Sequence, residues 1–92
     1  MKRIYKYTLE AQTEQKLELP LGSQVLTVKE QRNDAVLYAL VNPNEEKKEV
    51  YQVLAFGTGH DIEYDLSDYN FLNSVLLYGG NLVFHLFIKR IG

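Results

Sequence analysis

The sequence predicts an all-β protein, a small antiparallel sandwich or barrel of about seven short strands. Three observations carry this expectation. Phe71 to Tyr78 and Leu82 to Arg90 are apolar, β-branched and aromatic runs around Gly79-Gly80-Asn81, where glycines accept the positive φ of a tight hairpin turn. Lys2 to Leu9 alternates, with Tyr5, Tyr7 and Leu9 on one side and Ile4, Lys6 and Thr8 on the other, as a half-buried strand does. Turn residues recur roughly every 8–12 positions, and only Ala11 to Lys16 has enough helical character for a single turn.

Taken in order, Lys2 to Leu9 is the first strand, and Gln15 to Leu19 resumes the pattern after the polar Glu10 to Glu14. Pro20-Leu21-Gly22-Ser23 is a turn, since proline fixes φ and glycine tolerates what a side chain would not. Gln24 to Gln31 and Ala35 to Val41 form a second hairpin around Arg32-Asn33-Asp34. Asn42 to Glu49 reads as a solvated loop, Val50 to Phe56 as a strand, and Asp61 to Asp68 as an acidic connection, partly extended or a loop. Residues 1–92 make one domain. Ala35 to Val41 and Leu82 to Ile88 are apolar at nearly every position, so both faces of those strands need cover. A chain of 92 residues has little material for that, which favours a homo-oligomer; the alternative is a closed barrel with large residues crowding its rims.

With no cysteine, disulfides, thiolate catalysis and cysteine-based metal centres are excluded, and an unstapled domain suits a reducing cytoplasm. The formal charge of −2 and pI near 5.6 weigh against nucleic acid as a partner. No apolar run approaches a membrane span or signal peptide, so no membrane partner is expected.

Phe56-Gly57-Thr58-Gly59-His60 is the most site-like segment. Glycines separated by one residue at a strand end expose backbone N–H groups that can cradle an anion. The same pair also serves a tight loop that needs only glycine's φ range. A third glycine with its helix, or a Lys-Ser/Thr ending, would mark a nucleotide fingerprint, and neither is there. By alternation His85 shares a face with Val83, Phe87 and Lys89, opposite Leu82, Phe84, Leu86 and Ile88. It reads either as a hydrogen-bonded structural histidine or, with His60, as an acid–base pair. Histidine and carboxylate spacings give no metal site, and no cofactor is implied. Ser23, Ser67 and Ser74 sit in no recognisable catalytic context, so a non-enzymatic role is expected.

The chain resembles a family of small, functionally uncharacterised proteins encoded by bacteriophages and prophages. The resemblance lies in Ile4-Tyr5-Lys6-Tyr7, Lys16 to Val28, Leu37 to Pro43, Phe56 to His60 and Gly79 to Phe87. The acidic connection Ile62 to Asp68 and the tail Lys89-Arg90 depart from that pattern. The resemblance implies a phage product acting in the host bacterial cytoplasm. Small phage proteins without catalytic machinery often counter host defence, so the expected function is a sponge that sequesters a nucleotide-derived immune signal in a homo-oligomer. Its ligand-binding set would be Phe56, Gly57, Thr58, Gly59, His60, Tyr78, His85, Lys89 and Arg90. In that set the loop faces phosphate, Phe56 or Tyr78 faces a base, and Lys89 or Arg90 adds charge across an interface. The alternative is an inhibitor or adaptor that binds a host defence or phage protein through an apolar strand or through Asp61 to Asp68.

Overall fold

Alternating side chains and tight turns divide the chain into seven strands. These are β1 (Arg3–Thr8), β2 (Glu14–Pro20), β3 (Gln24–Gln31), β4 (Asp34–Val41), β5 (Lys48–Gly57), β6 (Asn70–Leu77) and β7 (Leu82–Arg90). The computed structural model describes residues 1–92. The strands form two antiparallel sheets, ordered β1-β4-β3 and β2-β5-β7-β6, so the all-β expectation holds. No helix is long and apolar enough to cross a membrane.

Turn chemistry fixes the two local hairpins. Arg32 and Asn33 have φ of 52° and 65°, the paired left-handed conformation of a type I′ turn, which brings β3 back as β4. The β6–β7 turn is longer than Gly79-Gly80-Asn81 alone. Tyr78 already has φ of 51°, ending β6 at Leu77, and Gly79 and Gly80 follow in the same region. Asn33 then ties the two tips together, its side-chain oxygen accepting the Tyr78 N–H at 3.1 Å.

Between the sheets lies a core of Leu9, Leu19, Val28, Leu37, Ala39, Val41, Val53, Val75, Leu77, Leu86 and Ile88. Period-two spacing supplies it: Leu37, Ala39 and Val41 from β4 face Leu86 and Ile88 from β7. The sheets meet at a seam between the edge strands β3 and β6. Each carries a register shift, between Val25 and Thr27 and between Phe71 and Asn73, and such bulges bend an edge. Across the seam the Asn73 amide takes the place of a strand: Oδ1 accepts the Val28 N–H at 2.9 Å and Nδ2 donates to the Val28 carbonyl at 2.6 Å. Val28 is fully buried, so these backbone groups have no water to turn to.

On the outer face of the four-stranded sheet, Leu54 and Phe56 are also buried. Part of the cover that the four-stranded sheet needs on this face comes from the chain itself. Residues 58–69 return across this face as a strap, and Tyr64 packs on Phe56 with ring centroids 5.6 Å apart. Phe87 continues the cluster to Phe56 at 6.1 Å and Phe71 at 5.4 Å. The strap is pinned at Tyr64, whose hydroxyl donates to Glu14 Oε2 at 2.9 Å, and at Tyr69, whose ring lies 5.2 Å beneath Lys89 Nζ. Glu14 holds the Tyr64 hydroxyl pKa above its usual value, while the Ser67 N–H holds the Asp65 carboxyl below its own.

Candidate functional site

β5 ends in the turn Gly57-Thr58-Gly59-His60, closed by the His60 N–H donating to the Gly57 carbonyl at 3.2 Å. Gly59 occupies the third position with φ of 84°, the conformation that a type II turn reserves for glycine. Gly57 is needed for a different reason. A Cβ there would come within 2.7 Å of the His60 ring, so the imidazole is seated against bare backbone. Of the loop's N–H groups, that of His60 is therefore consumed by the turn.

Between this turn and the start of β7 lies a cleft of about 270 Å³, lined by Gly57, Thr58, His60, Asn81, Leu82, Val83 and Phe84. Thr58, His60 and Asn81 bring polar side chains to an otherwise apolar wall, the mixture typical of small-molecule sites. No lysine or arginine lines the cleft.

Thr58 also reaches away from the cleft to the outer face. Its Oγ1 lies 2.7 Å from His85 Nε2, while Ser74 Oγ lies 2.6 Å from His85 Nδ1. Ser74 and Thr58 thus give His85 a hydrogen-bond partner at each ring nitrogen. Ser74 and His85 are cross-strand partners on β6 and β7, and His85 pairs with Phe56 on β5, next to Thr58. A neutral imidazole has one donor and one acceptor nitrogen, so His85 couples the two hydroxyls. When Ser74 donates to Nδ1, Nε2–H donates to Thr58 and leaves the threonine proton free for the cleft. In the other tautomer Thr58 donates to Nε2, and its oxygen gains electron density.

The remaining expected site residues are dispersed. Phe56 is buried under Tyr64 on the outer face, and Tyr78 is exposed on the β6–β7 turn, outside the lining of the cleft. Lys89 lies over Tyr69, and Arg90 Nη1 pairs with Glu49 Oε2 at 3.0 Å. The ladder pairs Gly57 with Phe84 and Tyr51 with Arg90, so both cations stand roughly 20 Å along β7 from the loop. Within one chain the structure brings together Gly57, Thr58 and His60 in the cleft, and joins His85 to them through Thr58. Asn81, Leu82, Val83 and Phe84 complete the lining, four residues that the sequence presents only as turn and strand. No group of three histidine or carboxylate side chains is placed to hold a metal ion.

A family model matches residues 1–91. The chain belongs to the family described as domain of unknown function DUF7352. No curated protein and no solved structure matches it. For this DUF7352 member the cleft is thus read from its own chemistry.

Proposed function

We propose that this protein binds a small nucleotide-derived molecule in the Gly57–Phe84 cleft and holds it without turnover. The observation that carries the reading is the lining itself: hydroxyl, imidazole and amide from Thr58, His60 and Asn81 around apolar Leu82, Val83 and Phe84. Neutral donors of this kind can hold phosphate oxygens, while the apolar wall takes the rest of the ligand. Coupled to the resemblance to phage proteins, the reading becomes a counter-defence sponge that acts as a homo-oligomer in the host cytoplasm. A second reading, an inhibitor of a defence protein, draws on the exposed Leu76, Tyr78 and Leu82 at the β6–β7 tip.

Thermal unfolding against cyclic dinucleotides, cyclic oligonucleotides, ADP-ribose derivatives and purine and pyrimidine mononucleotides tests the first reading, with mass spectrometry of what heating releases. A ligand at 100 times its dissociation constant adds about 2.7 kcal/mol, several degrees for a domain of this size. The expected result is a shift with the intact compound recovered, abolished by His60→Ala and retained in Leu76→Asp. Absence of a shift across the panel, or recovery of an altered compound, would overturn it.

A further inference from the structure

We propose that the ligand has two parts: a single six-membered heteroaromatic ring enters a separate apolar cavity, and its anionic end lies in the Gly57–His60 cleft. This rests on the cleft being a ligand site and narrows the class to a pyrimidine nucleotide. The cavity, about 140 Å³, lies at the end of the sandwich beneath the Glu10–Thr13 bend, with Leu9, Ala35, Ala55 and Leu86 among its walls. Phe84 lines both spaces and is the wall they share. The half-buried Ala35 and Ala55 leave room where larger apolar residues would narrow the opening, and the volume matches that of cavities that take up a benzene ring.

The chemistry of the mouth points to a heteroaromatic ring. Gln12 and Thr13 stand at the rim with exposed polar side chains. An amide and a hydroxyl offer donors and acceptors that suit ring nitrogens and carbonyls, which an alkyl chain would leave unused. Phe84 supplies an aromatic neighbour for the ring. The mouth is also held in place before any ligand arrives. Gln15 exchanges two 2.9 Å hydrogen bonds with the Glu10 backbone, and the Ala55 N–H donates to the Thr13 carbonyl at 2.9 Å. A fixed rim lowers the ordering cost of binding.

The test is an NMR titration of the full chain, labelled in backbone amides and alanine methyls, with inorganic phosphate, uridine, uridine monophosphate and adenosine monophosphate. Uridine monophosphate is expected to move the Ala35 and Ala55 methyls and the Thr58 and His60 amides in one saturating event. Phosphate should move the loop alone and uridine the methyls alone. Ala55→Leu, which fills the cavity, should weaken uridine monophosphate by about tenfold or more and leave the phosphate response unchanged. Ala35→Val is the second variant should Ala55→Leu fail to fold. If uridine monophosphate moves only the loop, or binds the filled variants as tightly as the parent, the ring placement is wrong while the cleft reading stands. Equal affinity for adenosine monophosphate would overturn the six-membered ring. If no probe moves Thr58 or His60, the cleft reading fails and the two-part ligand with it.

Discussion

β5 and β7 run antiparallel through the middle of the four-stranded sheet, and their two ends are built in opposite ways. At the Glu49–Arg90 end the buried carboxylate is engaged on both oxygens. Glu49, only 2% exposed, accepts the Ser23 N–H at 3.0 Å and the Arg90 guanidinium at 3.0 Å. Arg90 Nε also donates to the Gly92 carbonyl at 3.0 Å, and the Ile91 and Gly92 N–H groups both donate to the Val50 carbonyl. At the Gly57–Phe84 end the glycine turn leaves a cleft, and His60 and Asn81 keep side-chain polar atoms without protein partners. Both cavities of the molecule open at this second end. The two ends thus use different residue types to different effect: Arg90 closes one end against Glu49, and Thr58, His60 and Asn81 line an open cleft at the other.

The largest effect should come from Asn73→Ala, because both ends depend on the seam. Val28 would keep a buried N–H with no partner and a carbonyl left with only the 3.5 Å contact of the Thr27 hydroxyl, a loss of about 3 kcal/mol and more than about 10 °C in melting temperature. Chemical denaturation measures it directly, and an unchanged midpoint would show that another group satisfies Val28. Next comes Glu49→Ala, expected to cost about 2 kcal/mol. Arg90 is more than half exposed and can rehydrate, which holds the loss below that of a fully buried pair. Its decisive readout is the His60 amide signal: no change keeps the two ends independent, and a shift would couple them.

Gly57→Ala should do the reverse. The backbone there has ordinary φ, so stability should stay within about 1 kcal/mol, yet the new methyl displaces the His60 ring and should weaken ligand binding about tenfold. Retained affinity would remove His60 from the site. The smallest effect concerns the strap. The Tyr64 pKa is raised above its model-compound value of 10.0, chiefly by its hydrogen bond to Glu14. A raised folded value gives stability that is present below the unfolded pKa and lost as pH rises through the folded one. Protection of the residues 61–69 amides, expressed as the exchange rate relative to the base-catalysed rate of the free chain at each pH, should therefore fall above about pH 10, and Tyr64→Phe should abolish that fall. A transition of the same size in the phenylalanine variant would assign it elsewhere.

How far the sequence revealed this molecule depended on whether a feature is local. The β3–β4 and β6–β7 hairpins follow from period-two alternation and from Arg32-Asn33 and Gly79-Gly80, all neighbours in the chain. The split of β1 and β2 between different sheets does not, because edge pairing with β4 and β5 is decided by packing at a distance. The Asp61 to Asp68 segment reads as an acidic connection, partly extended or a loop, and its placement over Phe56 through Tyr64 was not legible; a few apolar residues among carboxylates leave no periodic signal. Gly57 and His60 were legible as a site from glycine chemistry, whereas the contact of His85 with Ser74 needed the hairpin register. Counting outward from the turn Tyr78–Asn81 pairs Leu77 with Leu82 and then Ser74 with His85, so recognising Tyr78 as a turn residue would have exposed it.

The split of β1 and β2 between the sheets has a kinetic consequence. Both are edge strands, each laddered to one neighbour far along the chain, and such pairings form late and fray early compared with local hairpins. The Glu10–Thr13 bend that roofs the apolar cavity is the link between them. A molecule shut beneath that roof would leave when the N-terminal edges breathe, so its residence time would follow the local opening rate of the protein. Conversely, its presence would act as a clamp on the strands that are slowest to attach.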